Sequence, residues 1–328
     1  MKIIKVSSNE ANQRMDKLLI KYLNLAPKSF IYKMLRKKNI TLNGKKADGS
    51  ERLKIDDEIK LFLSEETIEK FSELNIKKVP YDLDIIYEDK NILIINKPSG
   101  LLSQKASIED ISLVEQMISY LLDTNQITHN ELKSFKPGIC NRLDRNTSGI
   151  IVAGKTLSAL RTMAEIFRSR SIDKYYQCIV KGEITNKQHI LGYLIKDEKT
   201  NKVTITKEKN SKGLYIQTEY EPLKVKHGYS LLNVKLITGR SHQIRGHLAS
   251  VNHPVVGDYK YGNKTVNEYF KKNYQLDHQL LHSYKLVFPE LEGEFSYLSK
   301  KEFTAKLPDI FAKIKNDIFI DNHKTPII

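Results

Sequence analysis

Cysteine is scarce. Cys140 and Cys178 are the only two in 328 residues, too few for a disulfide framework or a four-thiolate zinc site. They read as reduced thiols. No apolar run approaches the ~20 residues that cross a bilayer, and Met1-Lys2-Ile3-Ile4-Lys5 is not followed by a secretory apolar region. A soluble, cytoplasmic chain without membrane association is expected. Gly149 to Thr156 spells G-x-x-x-x-G-K-T, but the residues between the glycines are the apolar, strand-like Ile150-Ile151-Val152-Ala153 rather than a phosphate-cradling loop, and a nucleotide hydrolase is not expected. His242 and His247 are five apart, off the i, i+4 spacing that shares a helix face, so no metal site is expected. Acidic residues are also in deficit: 39 Asp and Glu face 54 Lys and Arg, a net charge of +15. Such an excess suits a polyanionic partner.

With 40% hydrophobic residues, the chain has enough apolar side chains for one large domain and a small one. The positive charge is concentrated at the start, where residues 1–46 hold twelve Lys or Arg against two acidic residues. Met15, Leu18, Leu19 and Tyr22 repeat at helical spacing. Pro27 opens a second helix, with Phe30 and Met34 on one side and Lys33, Arg36 and Lys37 on another. Ile40-Thr41-Leu42 then runs into Asn43-Gly44, a dipeptide suited to a tight hairpin turn. Residues 1–65 are expected to form a small module, 66–80 (with Glu66, Glu69 and Glu73) a polar linker, and 81–328 the main domain. The basic helix face suits phosphate contacts, although a solvated face has the same appearance.

The centre of the chain is Asn141-Arg142-Leu143-Asp144-Arg145-Asn146-Thr147-Ser148-Gly149, followed by the strand-like run Ile150-Ile151-Val152-Ala153. A carboxylate between two arginines thus sits at the mouth of a strand that must be buried. In an arbitrary sequence this would be a turn-capping aspartate. Ile92-Leu93-Ile94-Ile95 reads as another buried strand, and Leu157 to Phe167 as a helix. Residues 174–182 read as a strand, and the lysine-rich 196–212 as an exposed hairpin arm, either facing RNA or merely solvated. Leu232 to Leu236 alternates as a half-buried strand does. A helix follows with Ser241 as N-cap, Ile244 and Leu248 inward, and Arg245 one step round. Gly246 loosens that helix by roughly 0.5–1 kcal/mol relative to Ala.

Several segments, in order, resemble the RluA-type pseudouridine synthases. Asn141 to Gly149 is similar to the family's H-R-L-D-x-x-T-S-G, with Asn141 in place of histidine. Glu88-Asp89 with Asn96-Lys97-Pro98-Ser99-Gly100-Leu101 resembles its first motif, and Lys174-Tyr175-Tyr176 its K-x-Y. Thr238 to His247 resembles T-G-R-x-H-Q-I-R-V-H, and His253-Pro254-Val255-Val256-Gly257-Asp258 its H-P-I-x-G-D. Arg14, Asp16 and Lys17, with Ser29 to Lys37, the Asn43-Gly44-Lys45 turn and Asp57-Glu58-Ile59, resemble an S4 RNA-binding domain.

This resemblance implies an α+β fold: a small S4-like domain plus a catalytic domain on a mixed, largely antiparallel sheet with flanking helices. It implies an isomerase converting uridine to pseudouridine in RNA, most plausibly in large-subunit (23S) ribosomal RNA, acting as a monomer on a flipped base. It assigns Asp144, Tyr176 and Arg245 to catalysis. Arg142, Arg14, Lys33, Arg36, Lys37, Lys45, Lys97 and Arg240 become RNA contacts. No cofactor is needed, because breaking N1–C1′ and joining C5–C1′ gains and loses no atoms. The residues leave open a covalent adduct or a glycal. A non-catalytic RNA-binding or ribosome-assembly protein is the alternative that the basic module alone equally supports.

Overall fold

The computed structural model describes residues 1–73, 78–209 and 213–320. Residues 74–77 of the expected linker and 210–212 of the lysine-rich arm lie outside them.

The chain opens with β1 (Lys2–Lys5), α1 (Met15–Tyr22), α2 (Lys28–Arg36), β2 (Ile40–Leu42), β3 (Lys45–Lys46) and β4 (Glu58–Leu61). The four strands form one antiparallel sheet in the order β1-β4-β2-β3. Met15, Leu18 and Leu19 of α1 are fully buried beside Ile31 and Leu35 of α2 and Ile59 and Leu61 of β4. The stretch expected as a linker instead carries α3 (Glu65–Phe71), whose N-terminus is capped by the Ser64 side chain accepting from Thr67 N–H at 3.2 Å. Ile68 joins the small core, and Phe71 lies 4.6 Å from Phe30, ring centre to ring centre. Two apolar residues in an acidic stretch are a faint sequence signal, yet they suffice once a neighbouring face needs covering.

The main domain comprises β5 (Asp84–Glu88), β6 (Ile92–Lys97), α4 (Leu113–Asp123), β7 (Gly138–Ile139), β8 (Ser148–Gly154), α5 (Leu157–Arg168), β9 (Asp173–Lys181), β10 (Gln188–Asp197), β11 (Lys202–Thr206), β12 (Leu214–Lys226) and β13 (Tyr229–Leu236). It ends with α6 (Gln243–Ser250), α7 (Lys264–Tyr274), β14 (Leu281–Val287), β15 (Glu302–Thr304) and α8 (Asp309–Phe319). The strands form one eleven-stranded sheet, ordered β11-β10-β12-β13-β9-β14-β8-β6-β5, with β15 on β14 and β7 on β8. Its pairings are antiparallel except β14 with β8. The fold class is therefore the α+β one expected.

Both faces of the central strands are covered, which explains why β6 and β8 are continuous apolar runs rather than alternating ones. Leu93, Ile95 and Ile151 face α4 and α6, while Ile92, Ile94, Ile150 and Val152 face α5. Further along the sheet, α7 and α8 cover Ile179 and Leu231. Gly149 sits at φ 116°, and a Cβ there would run into the Ser283 carbonyl of β14. Only glycine permits this close approach of β8 to β14.

The small module rests on the main domain. The Glu10 carboxylate accepts from the Ser134 hydroxyl at 2.7 Å, both residues being buried, and Asn9 Oδ1 accepts from Leu157 N–H at 3.2 Å. No helix among the described residues is long and apolar enough to cross a membrane.

Candidate active site

Asp144 lies in the turn between β7 and β8, closed by the Thr147 N–H donating to the Asp144 carbonyl at 3.0 Å. A second loop, after β6, holds this turn from behind. Ser103 Oγ donates to Leu143 O at 2.8 Å and accepts from Leu143 N–H at 3.1 Å, and Gly100 N–H donates to Arg145 O at 3.0 Å. Lys97 supplies the anchor. Its side chain is fully buried, and Nζ donates to the carbonyls of Pro98, Leu101 and Arg145 at 2.7, 2.8 and 3.0 Å. Burial pushes its pKa down to about 7 against the opposing charge of Asp144, while three carbonyls match the three N–H groups of an ammonium. The expectation that Lys97 contacts RNA is therefore corrected: the motif lysine points inward, where the backbone carbonyls of two loops converge.

Asn141 also acquires a definite task. Its side-chain amide donates to Ile150 O at 3.1 Å and accepts from Val152 N–H at 2.8 Å. It thus extends the β7–β8 ladder by one rung, as a peptide group would.

Arg245 comes from α6, a hundred positions away in sequence. Its Nη1 donates to Asp144 Oδ2 at 2.9 Å, and its other edge grips Asp258 bidentately, Nε to Oδ2 at 2.7 Å and Nη2 to Oδ1 at 2.9 Å. Asp258 is fully buried and also accepts from the backbone N–H groups of Lys260 and Tyr261 at 2.9 and 3.1 Å. Burial works against the charge of Arg245, but Asp258 and then Asp144 outweigh it and raise its pKa. One edge of the fork is spent on orientation, and of the N–H groups that remain one bonds Asp144.

Helix α6 does not begin as expected. Ser241 is exposed and caps nothing; the N-cap is His242, in the left-handed region at φ 55°. Gln243 secures the entry instead, with Oε1 accepting from the Thr238 hydroxyl at 2.8 Å and Arg240 N–H at 3.1 Å. Nor is Gly246 merely a loosened turn. A Cβ there would lie 2.7 Å from Val203 Cγ2, so glycine lets the β10–β11 hairpin dock on the helix. Val203 is buried with Leu194 and Ile216 beneath that arm, while Lys202, Lys207 and Lys209 stay exposed.

These groups share a cleft of about 790 Å³. Tyr176 of β9 lies in it, nearly buried; burial pushes its phenol up to about 12, opposed by a hydrogen bond to Ser283. Leu236, Ile244 and Leu281 provide apolar floor. Among the described residues lining the cleft, Asp144 is the single acid against eight lysines and arginines. Arg142 and Arg240 are there, exposed, as expected. Lys196 lines it too, from the start of the arm expected to face RNA or solvent, as do Lys174, Arg168, Arg170 and His242, for which no site role was expected. The dense basic stretch Arg168 to Lys174 was the available signal, but nothing in it tells where the end of α5 points. Arg14 lies outside the cleft and is held by its own module, with Nη2 2.8 Å from Asp16 Oδ2. Lys33, Arg36, Lys37 and Lys45 are exposed on that module and do not line the cleft.

A carboxylate facing a fixed guanidinium, an aromatic ring and an apolar floor inside a basic cleft define a site that takes a planar, uncharged group from a polyanion. Residues 91–250 match the RNA pseudouridylate synthase family. Over 291 residues the chain is 33% identical to an uncharacterised RNA pseudouridine synthase of Mycoplasma genitalium, covering 88% of this chain and 89% of that one. It is 34% identical over 272 residues to the ribosomal large subunit pseudouridine synthase D of Borreliella burgdorferi, covering 81% and 79%. The fold is shared with human RNA pseudouridylate synthase domain containing 4, with a TM-score of 0.56 at 22% identity over 71% of this chain and 91% of that one. The chain belongs to the RNA pseudouridine synthases of the RluA type, and the activity is isomerisation of uridine in RNA.

Proposed function

We propose that the substrate is large-subunit ribosomal RNA and that Asp144 is the catalytic carboxylate, with Arg245 and Tyr176 as its partners. The observation that carries the assignment is the 2.9 Å pair of Asp144 and Arg245 at the one acidic point of a basic cleft. The arginine holds the carboxylate in place through a charge-assisted hydrogen bond. An ionised carboxylate serves the cleavage of N1–C1′ either as a nucleophile or by stabilising developing positive charge on the sugar. Tyr176 stacks on the extruded base, which leaves its helix at a cost of a few kcal/mol, recovered in part by the basic rim formed by Arg142, Arg240 and their neighbours. The first seventy residues act as an S4-like RNA-binding domain through Lys33, Arg36, Lys37 and Lys45. The ribosomal target is supported by the names of relatives such as the Borreliella synthase.

Asp144→Asn is expected to abolish pseudouridine formation while RNA binding stays within about threefold of wild type. Wild-type turnover in that variant would discard the assignment. Mapping pseudouridines in large-subunit RNA from a strain lacking this chain tests the substrate: an unchanged map would refute it.

A further inference from the structure

Beside the carboxylate stands a side chain held with unusual care. His242 adopts a backbone conformation that costs a non-glycine residue of order 1 kcal/mol or more, at φ 55°. Its ring is fixed from behind: Nδ1 lies 2.8 Å from the Tyr261 hydroxyl. That hydroxyl already accepts the Val203 N–H at 2.9 Å, and its own proton is free to donate to Nδ1. The Tyr261 ring is itself held against the Arg245 guanidinium, whose carbon lies 5.2 Å from the ring centre. Burial keeps the imidazole neutral, lowering its pKa against the charge of Asp144. A neutral imidazole whose Nδ1 accepts carries its proton on Nε2. Nε2 faces the cleft, 3.9 Å from Asp144 Oδ2, beyond hydrogen-bond reach. Among the described residues it has no acceptor.

A donor locked in one tautomer, next to the catalytic carboxylate and lacking a partner of its own, is built for an oxygen that arrives with the substrate. Resting on the assignment of Asp144 above, we infer that His242 donates a hydrogen bond from Nε2 to a carbonyl oxygen of the flipped uracil, and that Tyr261, held by the β10–β11 hairpin, is the positioning residue that sets its tautomer. The hairpin thus reaches the base through three groups: the Val203 peptide, a phenol and an imidazole.

The test uses the full chain and a synthetic RNA hairpin spanning a uridine that wild type modifies, made with uridine, 2-thiouridine or 4-thiouridine at that position. Sulfur is a poor acceptor, so one of the two thio substitutions should slow single turnover by wild type about tenfold. His242→Gly tolerates the left-handed backbone and removes the donor. It should slow the uridine reaction about tenfold with RNA binding unchanged, and that same thio substitution should then cost the variant less than twofold. Tyr261→Phe should reproduce part of the loss, and the ring-nitrogen resonances of His242 should show the Nε2–H form alone in wild type and a mixture of the two tautomers in this variant. A wild type indifferent to both thio positions, penalties undiminished in His242→Gly, or an Nδ1–H imidazole in wild type would each overturn the inference. An active Asp144→Asn would instead strike the assignment on which it rests.

Discussion

At the scale of single residues, the site is a set of charges held by backbone. Asp144 and Arg245 are legible in the sequence because each lies in a motif that names it. Their meeting depends on Asp258, whose burial nothing in the linear pattern announces. Lys97 is the instructive case. A lysine before Pro-Ser-Gly in a basic chain reads as a phosphate contact, but its neighbours in space are three carbonyls, and sequence does not display carbonyls. Lys97→Met, similar in volume, is expected to leave those acceptors unmet and to destabilise the chain by on the order of 3 kcal/mol, seen as a lower urea midpoint. A midpoint unchanged within error would mean that the anchor is dispensable.

At the scale of elements, periodicity located most of the helices and strands near the site, and close approach decided how they fit. Ile92 to Ile95 and Ile150 to Ala153 were readable as buried strands from their unbroken apolar runs. Helix α3 was not, because its apolar residues, Ile68 and Phe71, acquire meaning only against Phe30 and the small core. Helix α6 starts one residue later than a Ser241 cap would place it, with the Gln243 side chain bonded back to Thr238 and Arg240 while Ser241 stays exposed. Gly246 reads in isolation as a weak point in a helix, whereas in three dimensions it is the seat of the β10–β11 hairpin. Gly246→Val should therefore push that hairpin off α6 at about 1–3 kcal/mol and speed tryptic cleavage around Lys199 and Lys202. Equal cleavage rates would show that the arm does not depend on this contact.

At the scale of the whole molecule, charge and burial make opposite demands. On the proposed role of the small module, its exposed lysines and arginine would contact phosphates without choosing a sequence, so their loss should act on affinity and its salt dependence together. Changing Lys33, Arg36, Lys37 and Lys45 to Gln in the full chain is expected to weaken RNA binding and to flatten the plot of log affinity against log salt by roughly 3 units; an unaltered slope would remove the module from the interface. Burial governs acid stability. His282 and His247 are nearly inaccessible, and burial pushes each down to about 4, whereas an unfolded histidine titrates near 6.5. The unfolded chain takes up protons first, so the stability these residues confer is complete above about pH 6.5 and is lost as the pH falls toward 4, roughly 2 kcal/mol for each by pH 5. Urea midpoints at pH 7 and pH 5 should differ accordingly, and His282→Gln should narrow the gap; an undiminished gap would place the sensitivity elsewhere.

The sequence by itself determined the fold class, the positive charge, the buried strands and the identity of the two charged groups that pair, because these depend on local propensity, hydrophobic period and short motifs that survive in one dimension. Only the tertiary structure decided that Lys97 turns inward, that Asn141 completes a ladder, and that Lys174 and the arginines after α5 rim the cleft. It also decided that the His242 ring stands in that cleft, its Nε2 3.9 Å from Asp144 Oδ2. Each of these depends on which backbone carbonyls, helix ends and hydroxyls converge on a point, and residues far apart in the chain supply them.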